Sequence, residues 1–193
     1  MEIVCIYGIL LKREDGSGND RIQISFNRRK KMKKYFVLMM LFLIVSAVFA
    51  DPMTLVFNTT LESGRTVTLP FSLDATVNVN VDWGDGNSDT YTTWGHKDHT
   101  YASEGTYTVS ISGTLTGFGG IYPNAKKLTA VTSFGDIGLT HLDGSFYNAE
   151  NLTSVPANLP ATVISLWLTF YNASSFNDPN ICNWNVSSVT DMS

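Results

Sequence analysis

Tyr122-Pro123-Asn124-Ala125-Lys126-Lys127-Leu128, Phe146-Tyr147-Asn148-Ala149-Glu150-Asn151-Leu152 and Phe170-Tyr171-Asn172-Ala173-Ser174-Ser175-Phe176 are three versions of one heptapeptide, set 24 residues apart. Four positions persist: an aromatic (Tyr122, Phe146, Phe170), an Asn (Asn124, Asn148, Asn172), an Ala (Ala125, Ala149, Ala173) and a large apolar residue (Leu128, Leu152, Phe176). A fixed period of this size marks a stacked array, in which each unit covers the apolar face its neighbour leaves open. The recurrent aromatic, Ala and apolar side chains are expected to point inward, and the Asn amides to bond backbone groups in the turn.

The residues between the heptapeptides align less strictly. Leu139, Ile164 and Val189 are spaced by 25, as are Leu142, Trp167 and Met192, so the predicted period is 24 to 25 residues. The array occupies 118–193, behind a hinge-like cluster, Gly117-Phe118-Gly119-Gly120. Its last unit ends at Ser193 where another Phe-x-x-Ala is due, which is the pattern of a truncated array with apolar surface exposed from Trp184 to Met192.

Residues 51–117 read differently. Segments 53–57, 65–69, 76–83, 90–94 and 106–112 are rich in β-branched residues, and Val77-Asn78-Val79-Asn80-Val81 alternates strictly, as a strand with one buried face does. Turn residues separate them, pointing to a small antiparallel sandwich.

Within that module, Val81-Asp82-Trp83-Gly84-Asp85-Gly86 is followed by His99-Thr100-Tyr101 and by Gly105-Thr106-Tyr107-Thr108-Val109. This order of motifs resembles the polycystic-kidney-disease (PKD) domain. The resemblance rests on Trp83, Gly84, Asp85, Gly86, His99, Tyr101, Gly105, Tyr107 and Val109, and it implies an Ig-like sandwich on an extracellular protein. The stretch before Val81 is short for that fold, so irregular or missing strands are expected.

The carboxylates of Asp82, Asp85 and Asp89 are candidate calcium ligands, but their spacing departs from the calcium-loop pattern of alternating acids closed by a distal Glu. The two His beside them lack the i, i+4 placement of a helical zinc site. The structural alternative has Asp85 and Gly86 forming a positive-φ turn, Trp83 in the core and His99 capping a neighbouring loop. Tyr91, Trp94 and Tyr101 could stack on sugar faces or pack inward. No residue is assigned a catalytic role, and no cofactor is expected beyond the calcium candidates.

The array resembles the BspA-type leucine-rich-repeat surface proteins. The resemblance is carried by Phe170 to Asn177 and by Ile181-Cys182-Asn183-Trp184-Asn185-Val186-Ser187-Ser188-Val189-Thr190-Asp191-Met192. Earlier units are degenerate: Gly135-Asp136-Ile137 lacks the Trp-Asn-Val, and Val155-Pro156-Ala157 opens a different loop. A PKD-like segment leading through Gly-Asp-Ile into repeats is an order found in that family. The fold class expected is therefore mainly β, a small PKD/Ig-like sandwich followed by a short leucine-rich-repeat-like solenoid.

Residues 28–34 are basic, 35–49 are almost continuously apolar, and Val48-Phe49-Ala50 precedes Asp51. This is the layout of a signal peptide over 32–50 cleaved after Ala50, with an apolar run shorter than the roughly 20 residues a spanning helix needs. Residues 1–31 then read as a mis-set start or an extended basic region. Residues 1–50 carry nine Lys and Arg against four acids, whereas 51–193 carry four against thirteen. The mature part is acidic, which disfavours nucleic acid as a partner. Cys182 has no second cysteine beside it and is expected to be a small buried hydrophobe.

The function expected is secreted or cell-surface, non-enzymatic adhesion to an extracellular protein or glycan, with membrane contact only during export. The alternative is a carbohydrate-binding accessory module of a longer secreted hydrolase.

Overall fold

The computed structural model describes residues 3–6, 9–12 and 50–193, which divide between two compact units, Met1–Val48 and Phe49–Ser193. In the first unit β1 (Ile3–Ile6) pairs antiparallel with β2 (Ile9–Lys12), Ile3 opposite Lys12. The signal peptide expected over 32–50 lies outside the described residues up to position 49, as do residues 13–31 of the stretch before it. Among the described residues, no helix is long and apolar enough to cross a membrane.

The second unit is mainly β and begins as a sandwich. One sheet runs β6 (Ser88–Tyr91), β5 (Val77–Asp82), β8 (Thr106–Leu115), β3 (Met53–Asn58), β9 (Leu128–Ser133); the other pairs β4 (Thr66–Phe71) with β7 (Gly95–Thr100). Alternation decides which face is inward. Val77, Val79 and Val81 of β5 are buried while Asn78, Asn80 and Asp82 face solvent, and Met53, Leu55 and Phe57 of β3 line the same core. The second sheet has only two strands, in keeping with the short stretch before Val81. The segment expected as a strand over 90–94 is instead the end of β6 and the turn into β7; the polar run Gly95–Thr100 gave β7 no apolar signature, because it is half-buried and takes its stability from the ladder to β4.

Strand β9 comes from beyond position 117. It pairs antiparallel with β3, Leu55 opposite Val131, so the sheet continues into the array without a break. From there the array extends both sheets. On one side Ala130 bridges in parallel to Ser154, and Asp178 Oδ2 accepts from Val155 N at 2.8 Å. On the other, Phe71 of β4 bridges to Phe118, and parallel bridges then climb from Gly117 to His141, Ser165 and Asp191. Each wall of the coil stack is thus the continuation of one sandwich sheet, and one apolar core runs from Met53 to Trp184. The sandwich closes the first apolar face of the stack, the role a capping unit has in repeat proteins.

Three expectations are corrected here. The glycine cluster at 117–120 is not a hinge: Ser72 N donates to Gly117 O at 3.1 Å, Gly119 N donates to Pro70 O at 2.8 Å, and Phe118 between them is buried. Gly119 has φ of 136°, and a Cβ there would stand 2.7 Å from Ser145 N, so glycine allows two coils to meet. Of the expected period of 24 to 25, the 24 is observed and the 25 is not. His141 bridges to Ser165 and Ser165 to Asp191, giving offsets of 24 and then 26, which places Leu166 rather than Trp167 under Leu142. Trp167 consequently faces outward, as does Ile164, while the offset of 26 puts Met192, 63% exposed, in line with Leu166. Cys182, finally, is exposed on the short 3-10 helix Pro179–Asn183, where Ile181 rather than Cys182 packs against the core.

Candidate functional site

The sandwich motif builds a latch. Between β5 and β6 the chain reverses through Gly84 and Gly86, both at positive φ, while Asp85 between them is not. Asp82 Oδ1 accepts from Gly84 N at 2.9 Å and Asp85 Oδ1 from Asn87 N at 3.0 Å, so each carboxylate closes its own turn. Asp85 Oδ2 meets His99 Nε2 at 2.8 Å, tying the turn to β7. The His99 ring stacks on Trp83 at 4.7 Å, and its other neighbour, Tyr101, meets it edge-on at 4.6 Å. Tyr101 donates to Trp83 O at 2.8 Å and stacks on Tyr107. Burial draws the Asp85 carboxyl upward, but the bonds from His99 and Asn87 outweigh it and hold its pKa below the ordinary carboxylate value.

The three calcium candidates are not brought together. Asp89 Oδ2 accepts from Trp83 Nε1 at 2.8 Å, Asp82 serves its turn, and Asp85 serves His99. Among the described residues no group of three or more His, Cys, Asp or Glu could hold a metal ion. Of the aromatics proposed for sugar stacking, Tyr101 is fully buried and therefore closed to a ligand. Tyr91 is half-buried, edge-on to Phe71, with Lys97 Nζ 5.2 Å from its ring centroid. Trp94 remains available at the β6–β7 tip, 50% exposed, with Lys97 Nζ bonded to its carbonyl.

Residues 46–116 match the PKD domain family model. PKD is a non-catalytic family of modules typical of extracellular proteins. The match covers less than half of the chain and stops short of the array. No curated protein and no solved structure matches the sequence.

Beyond the PKD segment, the array offers a second surface. Tyr122, Ala125 and Leu128 of the first heptapeptide and Phe146, Ala149 and Leu152 of the second are buried; Phe170, Ala173 and Phe176 of the third are half-buried, since one side of that coil is uncovered among the described residues. Tyr122 OH donates to Ser145 O at 2.8 Å, and burial pushes its pKa above the usual phenol value. The expectation that the repeated Asn amides bond backbone groups in the turn is not met. Asn124, Asn148 and Asn172 have φ of 63°, 59° and 55°, the left-handed region that Asn tolerates best among residues with a side chain. Their amides connect sideways: Asn172 Nδ2 donates to Asn148 Oδ1 at 2.9 Å, and Asn124 Nδ2 to Thr68 Oγ1 at 3.3 Å. Beside the Asn148–Asn172 pair Tyr147 and Tyr171 stack at 4.8 Å, and Trp167 stands exposed four residues before Tyr171.

Two structural residues carried no sequence signal. Lys127 is fully buried, its Nζ donating to Thr66 O at 2.9 Å and to Ser63 O and Asn124 Oδ1 at 3.3 Å. Burial lowers its pKa, with Glu62 opposing. Asp143 Oδ1 accepts from Ser165 Oγ and from Trp167 N, joining successive coils. Nothing in a Lys-Lys pair or a single Asp distinguishes these from surface charges; only the fold does.

Proposed function

We propose that this chain is a non-enzymatic adhesion protein, secreted or displayed at the cell surface, whose coils over 118–193 form a short BspA-type, leucine-rich-repeat-like solenoid that extends from a PKD-like cap. Its partner is an extracellular protein or glycan. The observation that carries this reading is the pair of walls climbing from the sandwich sheets through Gly117, His141, Ser165 and Asp191 and through Ala130, Ser154 and Asp178. Stacking of this kind grows a long surface around a continuous core, which suits a large partner better than a small ligand. The outer side carries Trp167 and Tyr171, large rigid side chains of the kind that anchor interfaces. The latch is in keeping with the same reading, because His99 Nε2 and one oxygen or more of each candidate carboxylate hold a turn, a ring or one another.

A screen of residues 51–193 against arrayed glycans and extracellular-matrix proteins tests the proposal. The expected result is saturable binding lost in Trp167→Ala or Tyr171→Ala with unchanged circular dichroism. Binding that survives both changes and disappears in Trp94→Ala favours the alternative, a carbohydrate-binding accessory module, for which the half-exposed Trp94 at the hairpin tip is the supporting feature.

A further inference from the structure

The wall of parallel bridges has an outer side. Phe118, Leu142 and Leu166 turn into the core, and alternation puts their neighbours Asp143 and Trp167 on the opposite face. Asp143 Oδ1 accepts from Ser165 Oγ and, at 3.1 Å, from Trp167 N, while its Oδ2 has no partner among the described residues. An open carboxylate oxygen is thus fixed beside Trp167, which is 47% exposed. The indole N–H groups of Trp83 and Trp184 donate within the fold, to Asp89 and to Pro156 O; that of Trp167 donates to nothing among the described residues. Trp167 has a coil on either side of it, since Gly144 N donates to Trp167 O and Leu168 N to Ser193 O, so its ring opens sideways from the stack.

We infer that Trp167 and Asp143 form a receptor for a basic side chain, Arg before Lys, of the extracellular partner. The inference rests on the adhesion reading above and commits that partner to a protein with a basic segment. Charge makes the choice. Residues 128–193 contain no Lys or Arg and five acids, Asp136, Asp143, Glu150, Asp178 and Asp191. Glu150 meets Lys126 at 3.0 Å, which leaves no cation of this segment to compete at Asp143. Such a surface attracts a basic segment during encounter and repels an acidic one. The chemistry at the site matches. A guanidinium is planar, stacks on aromatic faces, of which indole is the best for a cation, and donates from its edge to a carboxylate. Trp167 supplies the face, and Asp143 Oδ2 supplies the acceptor beside it.

Isothermal titration calorimetry of the full chain as secreted, with a synthetic peptide of alternating Arg and Gly, tests this. Saturable binding that weakens as salt rises is expected. Asp143→Asn keeps the Oδ1 that serves Ser165 and Trp167 and removes only the charge. Its thermal melt should be unchanged while affinity falls roughly twofold to fivefold and the salt dependence flattens. Trp167→Ala, outside the core, should lower affinity by a similar factor, and the double variant by less than the product of the two, because both groups act on one guanidinium. Unchanged affinity in both folded variants would assign the binding to overall acidity and overturn the inference, as would equal binding of a neutral cello-oligosaccharide. A matrix ligand whose binding is lost in Trp167→Ala but indifferent to salt and to Asp143→Asn would leave the adhesion reading standing and overturn this one.

Discussion

Leu168 is the one apolar residue of the array forced into the left-handed region, with φ of 50°. The position 24 residues earlier is Gly144, at φ 63°, so the coil needs this conformation and the third turn meets the need with a side chain that disfavours it. Left-handed backbone costs a non-glycine residue about 1–2 kcal/mol, part of which the greater unfolded-state entropy of glycine offsets. Leu168→Gly is therefore expected to stabilise the protein by about 0.5–1 kcal/mol. Urea unfolding at fixed slope measures it. A loss of stability would mean that the half-buried Leu168 side chain contributes more packing than the backbone loses. At the same scale, Asp85 sets an acid limit. Its carboxyl has a lower pKa folded than unfolded, so its contribution is complete above the unfolded value of about 3.9 and disappears as the pH falls through the lower, folded one. In Asp85→Asn the decline of melting temperature across that interval should be shallower than in the parent chain; parallel curves would remove the latch from the acid response.

Elements are held here by close approach more than by area. Gly135, at φ 68°, lies against the start of β3, where a Cβ would come within 2.5 Å of Asp51 O, Met53 N and Pro52 C. Ala149 has the corresponding role between coils, fully buried with its N–H bonded to Phe146 O. Ala149→Leu should overpack this seam and cost about 1–3 kcal/mol, whereas the same change at half-buried Ala173 should cost clearly less. Equal melting temperatures for the two variants would contradict the gradient of burial along the stack. The inward side of the heptapeptide was legible in the sequence because three copies kept one spacing. The phase of the residues between was not: an offset of 25 aligns Leu142 with Trp167, but His141 and Ser165 pair at an offset of 24, which makes Leu166 the true partner. Local apolar identity could not distinguish the two, since Leu166 and Trp167 are adjacent and both large. In the same way the Asn was visible as a repeated letter, while its reason, a left-handed turn whose amide bonds a neighbouring side chain, is a property of backbone angle and neighbouring segments. The latch was readable as a motif, and its pairing of Asp85 with His99 follows from β7, a strand too polar to announce itself.

The whole molecule is defined by how its two parts share one core. A boundary at position 117 suits the composition, yet β9 beyond it supplies Leu128 and Val131 to the sandwich, both fully buried, and hydrogen-bonds the edge of β3. Lys127, also beyond it, fills the acceptors Ser63 O and Thr66 O from inside. A chain ending at 117 would therefore lose three things at once: the burial of Leu55 and Phe57 on that side, the partner of an edge strand, and the donor to two inward carbonyls. Exposing fully buried side chains such as Leu55 and Phe57 costs about 1.5–3 kcal/mol each, in sum a large part of a small domain's stability. The expectation is that 51–117 fails to fold as a monomer, while 51–160, which keeps β9 and the first coil, folds with reduced stability. Amide exchange provides the measurement: protection of Val79, Val81, Val109 and Ile111 in the longer fragment and its absence in the shorter one. Equal protection in both would show that the PKD segment is self-sufficient and that the array is an addition to it; the predicted contrast would make the sandwich and its first coil a single folding unit.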